Sequence, residues 1–348
     1  MVNGLILAED GKKMSKSLRN YPDPQALIEK RGGDSFRLYC LQSPVVRAEP
    51  MKFNEKSVEQ IFKDVTIPLQ NVYNFFETYA KIDGWKSEGT EVYLRKGSSD
   101  AESSTENLEM KTRINPDVTV TLSNPTEYAN ILSENKGKRI LIQTDEQTFA
   151  KLRAEIYAGS NTEKALVQRD APIELPTYQI TNDLDRRILA ELHQTMKTVD
   201  TNLQKYILDE ATKAAVDFLD KLTNRRLRRS RRRFRANGMT DDKYSAFATL
   251  FWVFKRYLQI LAPFAPFITE DLWLKLHDFI SPAGTNEKDT VQSIHLSYRP
   301  FASDLYINRD LISEIATVRK IIKLALFVRA KNKIAVKQPL QSLQVKLN

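Results

Sequence analysis

The sequence predicts a mainly α-helical protein with one small α/β unit inserted into it. Two patterns carry that class. Apolar residues recur at three- and four-residue steps from Glu55 to Ala80 and again from Leu184 to Leu261, the spacing that gathers them on one face of a helix. Between those stretches, DVTVTLS and KRILIQT show the alternation and apolar runs of strands. Size and composition agree: 348 residues, 41% hydrophobic and 28% charged, suit a soluble chain of two or three cored domains.

The elements follow in order. Leu5 to Ala8 reads as a brief strand, followed by the charged loop EDGKKMSKS, in which Gly11 supplies backbone freedom. In YPDP, Asp23-Pro24 reads as a cap followed by a first helical residue, and ALIEKRG as a short helix closed by Gly32 and Gly33. A second helix is expected from Asp34, and a longer one from about Glu55 to Ala80. In the longer one Val58, Ile61, Phe62, Val65, Leu69, Val72, Phe76 and Tyr79 share a face.

Residues 86–181 differ in character. KSEGTEVYLRKGSSDAESSTENLEMKTR reads as a polar excursion, partly disordered. Strand, helix, strand and helix are then expected at DVTVTLS, PTEYANILSEN, KRILIQT and EQTFAKLRAEIYAG, the last closed by Gly159. The stretch holds 12 basic and 15 acidic residues, so its charge points to no polyanion. From Asn182 the helical spacing returns, with further helices at about Leu208–Leu222, Lys243–Leu261, Ile268–Phe279 and Leu311–Lys331. An antiparallel bundle is expected, ending in a basic tail whose last segment resembles a strand.

Composition excludes several classes. No apolar run approaches the roughly 18 residues of a membrane span, and the first residues turn polar after Leu7 and Ala8, too soon for a secretion signal. A lone Cys40 excludes a disulfide framework and a cysteine-built zinc site. His193, His277 and His295 are widely separated and read as packing or surface residues, so no metal site is expected. The expected setting is a reducing cytoplasm. Phe247, Phe251, Phe254 and Tyr257, with Trp252 and Trp273, read as bundle core.

Charge is concentrated. Lys and Arg number 53 against 44 Asp and Glu, a net +9, yet RRLRRSRRRFR at 225–235 contains eight arginines and no acid. A basic segment on a near-neutral body points to a polyanion. At 100° per residue the arginines point nearly all round a helix, leaving Leu227, Ser230 and Phe234 as one narrow stripe to pack. Such a segment cannot be mostly buried, because unpaired guanidinium groups are costly to desolvate. Arg225, Arg228, Arg229, Arg231 and Arg232 are the candidate contacts to RNA phosphates. Lys331, Lys333 and Lys337 read equally as RNA contacts or as a solvated tail.

The chemistry-bearing motif is Lys13-Met14-Ser15-Lys16-Ser17. Two ammonium groups three residues apart on a mobile loop can both reach a triphosphate. When a carboxylate attacks the α-phosphorus of ATP, charge grows on the departing pyrophosphate, and cations held there favour the transition state over the ground state.

GKKMSKS resembles the second signature of the class I aminoacyl-tRNA synthetases. LRNYPDP, DSFRLYCLQSPVVRAEPMKF, NVYNFFETYAKIDGW, NDLDRRILAELHQTM, LTNRRLRRSRRRF, LQILAPFAPFITEDLW, SIHLSYRP and KIAVKQPLQSL narrow the resemblance to the isoleucyl family, over residues 1–85 and about 182–348. It implies that residues 1–54 are the KMSKS end of a Rossmann-type catalytic domain and that residues 55–85 and 182–300 are a helical anticodon-binding domain. Residues 86–181 would be the inserted unit and 301–348 a C-terminal helix and basic tail. Asp34-Ser35-Phe36-Arg37 is similar to the helix that introduces the anticodon-binding bundle.

By this resemblance Lys13 and Lys16 contact ATP phosphates, with Met14, Ser15 and Ser17 shaping the loop. ATP, accompanied by Mg2+, would be a substrate, and an isoleucine-accepting tRNA the partner. The family's other signature, HIGH, lies upstream of KMSKS and none of the three histidines occupies one, so an upstream catalytic half is expected as a further partner. Where the family carries aromatic residues beside its arginine run, this chain has Arg225, Arg226 and Arg235. Two other readings stand beside this one: a fragment of a valyl or leucyl enzyme, and a non-catalytic RNA-binding module derived from a synthetase.

Overall fold

The N-terminal residues build a small unit around one short parallel pair. β1 (Ile6–Leu7) lies beside β2 (Met51–Lys52), Ile6 opposite Met51 and Leu7 opposite Lys52. Between them run α1 (Pro24–Arg31), α2 (Gly33–Leu41) and a 3-10 turn at Pro44–Arg47. The start of α1 follows from its sequence: Asp23 accepts the Gln25 amide at 3.0 Å, and Pro24 occupies the first helical position. Gly32 ends the helix at φ 80, a conformation costly for residues with a Cβ. Gly33 opens α2 instead of helping to close α1. Leu27, Phe53 and Val58 form the unit's own apolar centre, with Ile6, Met14, Phe36 and Tyr39 packed on it.

The computed structural model describes residues 3–15, 17, 20–87, 91–96, 118–124, 127–135, 138–145, 147–148, 151–152, 173–175, 178, 180–280, 293–297, 299–300, 302–303, 306–307, 309–342 and 344.

The first long helical segment is one rod of three parts: α3 (Glu55–Ile61), a π-helical turn at Phe62–Thr66, and α4 (Ile67–Asp83). Pro68 has no amide hydrogen to complete an α turn, and the wider π turn precedes it. The bundle adds α6 (Asp183–Gln204), α7 (Leu208–Asp220), α8 (Arg228–Phe234), α9 (Asp241–Leu261) and α10 (Pro266–Leu276). A short helix, α5 (Tyr128–Glu134), lies in the inserted unit. A second π turn at Lys221–Leu227 joins α7 to α8. The bundle core is aromatic: Phe76 packs against Trp85, Phe247, Phe251 and Phe279, and Phe234 meets Phe247 edge-on at 4.9 Å. Edge-on and offset pairs of this kind are favoured by the ring quadrupoles.

Three side chains of the N-terminal unit, Asp34, Arg37 and Arg47, reach the bundle. The Asp34 carboxylate accepts the amides of Phe267 and Ile268 at 3.2 and 2.7 Å, capping α10, and Arg37 donates to the Pro263 carbonyl at 3.1 Å. Arg47 pairs with Asp209 and Glu210 at the start of α7, at 2.7 and 3.0 Å.

The inserted unit holds a four-stranded sheet of β3 (Glu91–Lys96), β4 (Val118–Leu122), β5 (Arg139–Thr144) and β6 (Ile173–Leu175). The strand order is β4-β5-β3-β6; β5 runs parallel to β4 and β3, and β6 is antiparallel to β3. This corrects the expected polar excursion, since EVYLRK lies between β5 and β6. Its charged ends, Glu91 and Arg95-Lys96, set in a polar stretch, hide a short strand that pairs on both edges. Leu122, Ile140 and Ile142 join the same core as the bundle helices. Most of the helix expected at EQTFAKLRAEIYAG, with its Gly159 stop, lies outside the described residues.

The last helix, α11, spans Arg309–Lys331. The strand expected in the last segment of the tail lies mostly outside the described residues. Before it the chain makes turns, where Arg329 Nη1 donates to the carbonyls of Ala335 and Gln338 at 2.8 and 2.9 Å. His295 sits in a 3-10 turn at Ile294–Leu296.

Candidate functional site

The lysine motif begins as β1 ends. The Ala8 amide donates to the Lys12 carbonyl and the Gly11 amide to the Ala8 carbonyl, both at 2.8 Å, so the chain reverses within a few residues. Gly11 has φ 83 at this reversal, and a Cβ there would lie 3.0 Å from the Lys52 side chain. Lys12 is held locally, its amide on Asp10 at 3.0 Å and its ammonium 3.7 Å from the same carboxylate. Lys13 is exposed.

Two residues fix the loop. Met14 packs its side chain onto the Leu27, Phe53 and Val58 centre. Asn20 spans the loop, accepting the Ser15 amide at 2.8 Å and donating to the Lys13 carbonyl at 3.1 Å. The Ser15 and Ser17 hydroxyls are 2.7 Å apart. One apolar anchor and one amide latch therefore leave a cation and two hydroxyls on the outer side. Lys16 lies outside the described residues. Asn20 was not singled out by sequence reasoning, because an asparagine just before a turn carries no distinguishing signal.

The arginine run divides, contrary to the expectation of side chains pointing nearly all round an exposed helix. Arg228, Arg229, Arg231 and Arg232 are exposed. Arg225 is partly covered and lies 3.1 Å from Asp220. Arg226 and Arg233 turn inward onto Asp185 of α6, which is fully buried. Arg226 bonds to Asp185 and to Ser230, while Arg233 holds both carboxylate oxygens at 3.0 and 2.8 Å and also reaches Asp242. Burial pulls the Arg226 guanidinium below its ordinary pKa, and Asp185 opposes that shift. The reason for the division is pairing: a buried carboxylate makes burial of two guanidinium groups tolerable, which spacing alone cannot reveal. Leu227, Ser230 and Phe234 are buried, as the stripe predicted.

Arg235 donates to the Tyr79 hydroxyl at 2.8 Å with its guanidinium 6.0 Å from the ring centroid. The N-terminal unit and the arginine run meet opposite ends of α7. Arg47, in the N-terminal unit, pairs at the start of α7, and the arginine run begins past its other end. A helix of 13 residues sets about 20 Å between those points, at ~1.5 Å per residue. Among the described residues no group of three His, Cys, Asp or Glu could hold a metal ion, and no helix is long and apolar enough to cross a membrane.

Comparison with known proteins fits this arrangement. Residues 1–52 match the model of class I tRNA synthetases for isoleucine, leucine, methionine and valine, and residues 185–346 match the anticodon-binding domain of tRNA ligases. The chain belongs to the class I aminoacyl-tRNA synthetases. Within that class it stands with the isoleucine–tRNA ligases. It is 30% identical over 345 residues to the ligase of Treponema pallidum and 29% identical to that of Chlamydia abortus, in both cases covering 99% of this chain and 24% of the relative. The chain thus spans about a quarter of the length of these relatives. Among solved structures, a leucyl-tRNA synthetase of Agrobacterium radiobacter K84 in complex with tRNA aligns with 88% of this chain and 24% of its own, at 13% identity and a TM-score of 0.45.

Proposed function

We propose that this chain supplies the ATP-phosphate loop and the tRNA-binding part of an isoleucine–tRNA ligase. Residues 1–54 would be the KMSKS end of the catalytic domain, 55–85 and 182–300 the anticodon-binding domain, 86–181 an insertion and 301–348 the C-terminal helix and tail. The single observation that carries the reading is the loop anchored by Met14 and latched by Asn20 with Lys13 facing outward.

The isoleucine carboxylate attacks the α-phosphorus of ATP, and the bond to the bridging oxygen breaks as pyrophosphate leaves. Lys13 and Lys16 stabilise the charge that grows on pyrophosphate, and Ser15 and Ser17 hold the loop shape in which they do so. Mg2+ arrives on the triphosphate. A hydroxyl at the tRNA 3′ end then attacks the carbonyl carbon of the adenylate, forming the ester as the acyl–phosphate bond breaks and AMP leaves. Arg225, Arg228, Arg229, Arg231 and Arg232 grip tRNA phosphates, placing the nucleic acid without reading its bases.

Binding of purified tRNAs at several salt concentrations tests this. Isoleucine tRNA should compete better than valine or leucine tRNA. Replacing Arg228, Arg229, Arg231 and Arg232 together by Gln should lower the magnitude of the slope of log affinity against log salt by roughly 3.6, given about 0.9 per phosphate contact. Equal competition by all three tRNAs would favour a general RNA-binding module, and an unchanged slope would return the arginines to a solvated surface.

A further inference from the structure

Arg235 closes the outward row of arginines. At 100° per residue it shares an arc of about 100° with Arg228, Arg231 and Arg232, and all four are exposed. Its setting differs from theirs. Arg235 Nε donates to the Tyr79 hydroxyl at 2.8 Å, and its guanidinium carbon lies 6.0 Å from the centroid of that ring. Tyr79 is itself braced: its ring is 4.8 Å from Phe75, which meets Phe234 edge-on at 5.2 Å. Phe234 is the residue before Arg235, so α4 and α8 close a circuit of contacts that ends on this guanidinium. Its charge, however, is not answered. Arg225, Arg226 and Arg233 each pair with a carboxylate, but among the described residues none pairs with Arg235. The acids in the last turns of α4 are engaged elsewhere, Glu77 with Lys81 and Asp83 with Lys243, both at 2.7 Å. Ile82, three residues past Tyr79, is 72% exposed and adds an apolar surface to the same turn.

We infer that the Arg235 guanidinium is a stacking plate for one unpaired base of the RNA whose phosphates the rest of the row holds. A guanidinium is planar and weakly hydrated, so it stacks on aromatic faces as well as pairing with anions. A side chain free in solvent loses rotamer freedom when it stacks; one aimed beforehand by a ring and a hydroxyl loses less. The arginines that serve folding, Arg226 and Arg233, are paired with Asp185. A contact to phosphate alone gains nothing from Tyr79, and Arg228, Arg231 and Arg232 have no such support. Sites for single-stranded nucleic acid combine these same two parts, a cationic track and flat side chains on which bases lie. Stacking of this kind adds affinity with little choice of base. The inference deepens the RNA reading of the arginine run and rests on it.

Separating plane from charge tests it, with isoleucine tRNA titrated into the full chain at several salt concentrations. Arg235→Lys keeps the charge and loses the plane; it should weaken binding about tenfold with the salt slope unchanged. Its thermal midpoint should stay where it was, because the side chain is exposed. Arg235→Trp supplies a plane without charge and should bind within about threefold of the unaltered chain. Tyr79→Phe keeps the ring but releases the guanidinium, and should cost about threefold. An Arg235→Lys chain that binds like the unaltered one overturns the inference. So does an Arg235→Trp chain that binds as weakly as Arg235→Ala, which makes the residue a phosphate contact. If the unaltered chain binds no tRNA, the RNA reading fails and this inference with it. If the slope falls in the four-arginine variant but binding ignores the Arg235 series, this inference alone fails.

Discussion

Asp185 has no exposure, yet it carries a charge that three side chains answer: Arg226, Arg233 and, through its hydroxyl at 3.2 Å, Ser245. Removing the carboxylate would strand two guanidinium groups in a place where water cannot reach both. Asp185→Ala should therefore cost about 3–5 kcal/mol, the usual penalty for breaking a buried pair from one side. Urea unfolding measures this, and a loss below about 1 kcal/mol would mean that the network relaxes freely. Replacing Asp185 and Arg226 together by apolar residues of similar volume should recover much of the loss. The same carboxylate decides which arginines are available to a ligand. That selection was not legible in RRLRRSRRRFR, because it depends on a residue about forty positions earlier in the chain.

At the level of elements, the capping of α10 shows how a sequence motif acts at a distance. Asp34 lies in the second helix of the N-terminal unit, but its two oxygens hold amides of a helix more than two hundred residues later. Asp34→Ala should destabilise the protein by about 1–2 kcal/mol, the range for loss of an N-terminal cap, read as a lowered thermal midpoint. Asp34→Asn should keep part of that stability. The helices themselves were largely legible: apolar periodicity and turn residues located α1, the rod from α3 to α4, α6, α7, α9 and α10 to within a few residues, though not the π turn inside the rod. The exceptions are short or charged elements. β2 has two residues and β3 has charges at both ends within a polar stretch, and neither offers a period long enough to recognise. In the lysine loop the motif itself was legible, whereas the latch at Asn20 was not.

For the whole molecule, His193 sets a pH limit. The ring is buried, stacks on Tyr306 at 4.4 Å, and its Nδ1 accepts the Ser303 amide at 3.0 Å. Burial, with the Arg256 charge nearby, pushes its pKa down from 6.5 to about 3. The unfolded chain therefore takes up a proton that the folded chain refuses. The contribution of His193 is complete above about pH 6.5 and is lost progressively as the pH falls toward about 3. Its slope approaches ~1.4 kcal/mol per pH unit. Urea midpoints measured between those limits should show this slope, and His193→Phe should flatten it whatever its effect at neutral pH. An unaltered slope would place the titration elsewhere.

The local pattern of residues was enough to determine the helical class, the lysine motif, the basic segment and the family, because periodicity, turn chemistry and short motifs are properties of neighbours in the chain. Tertiary structure alone decided which arginines face outward, what holds the lysine loop, and that the inserted sheet shares the core of the bundle. Each of those depends on partners far apart in sequence, where desolvation and pairing set the energy and spacing carries no record of it.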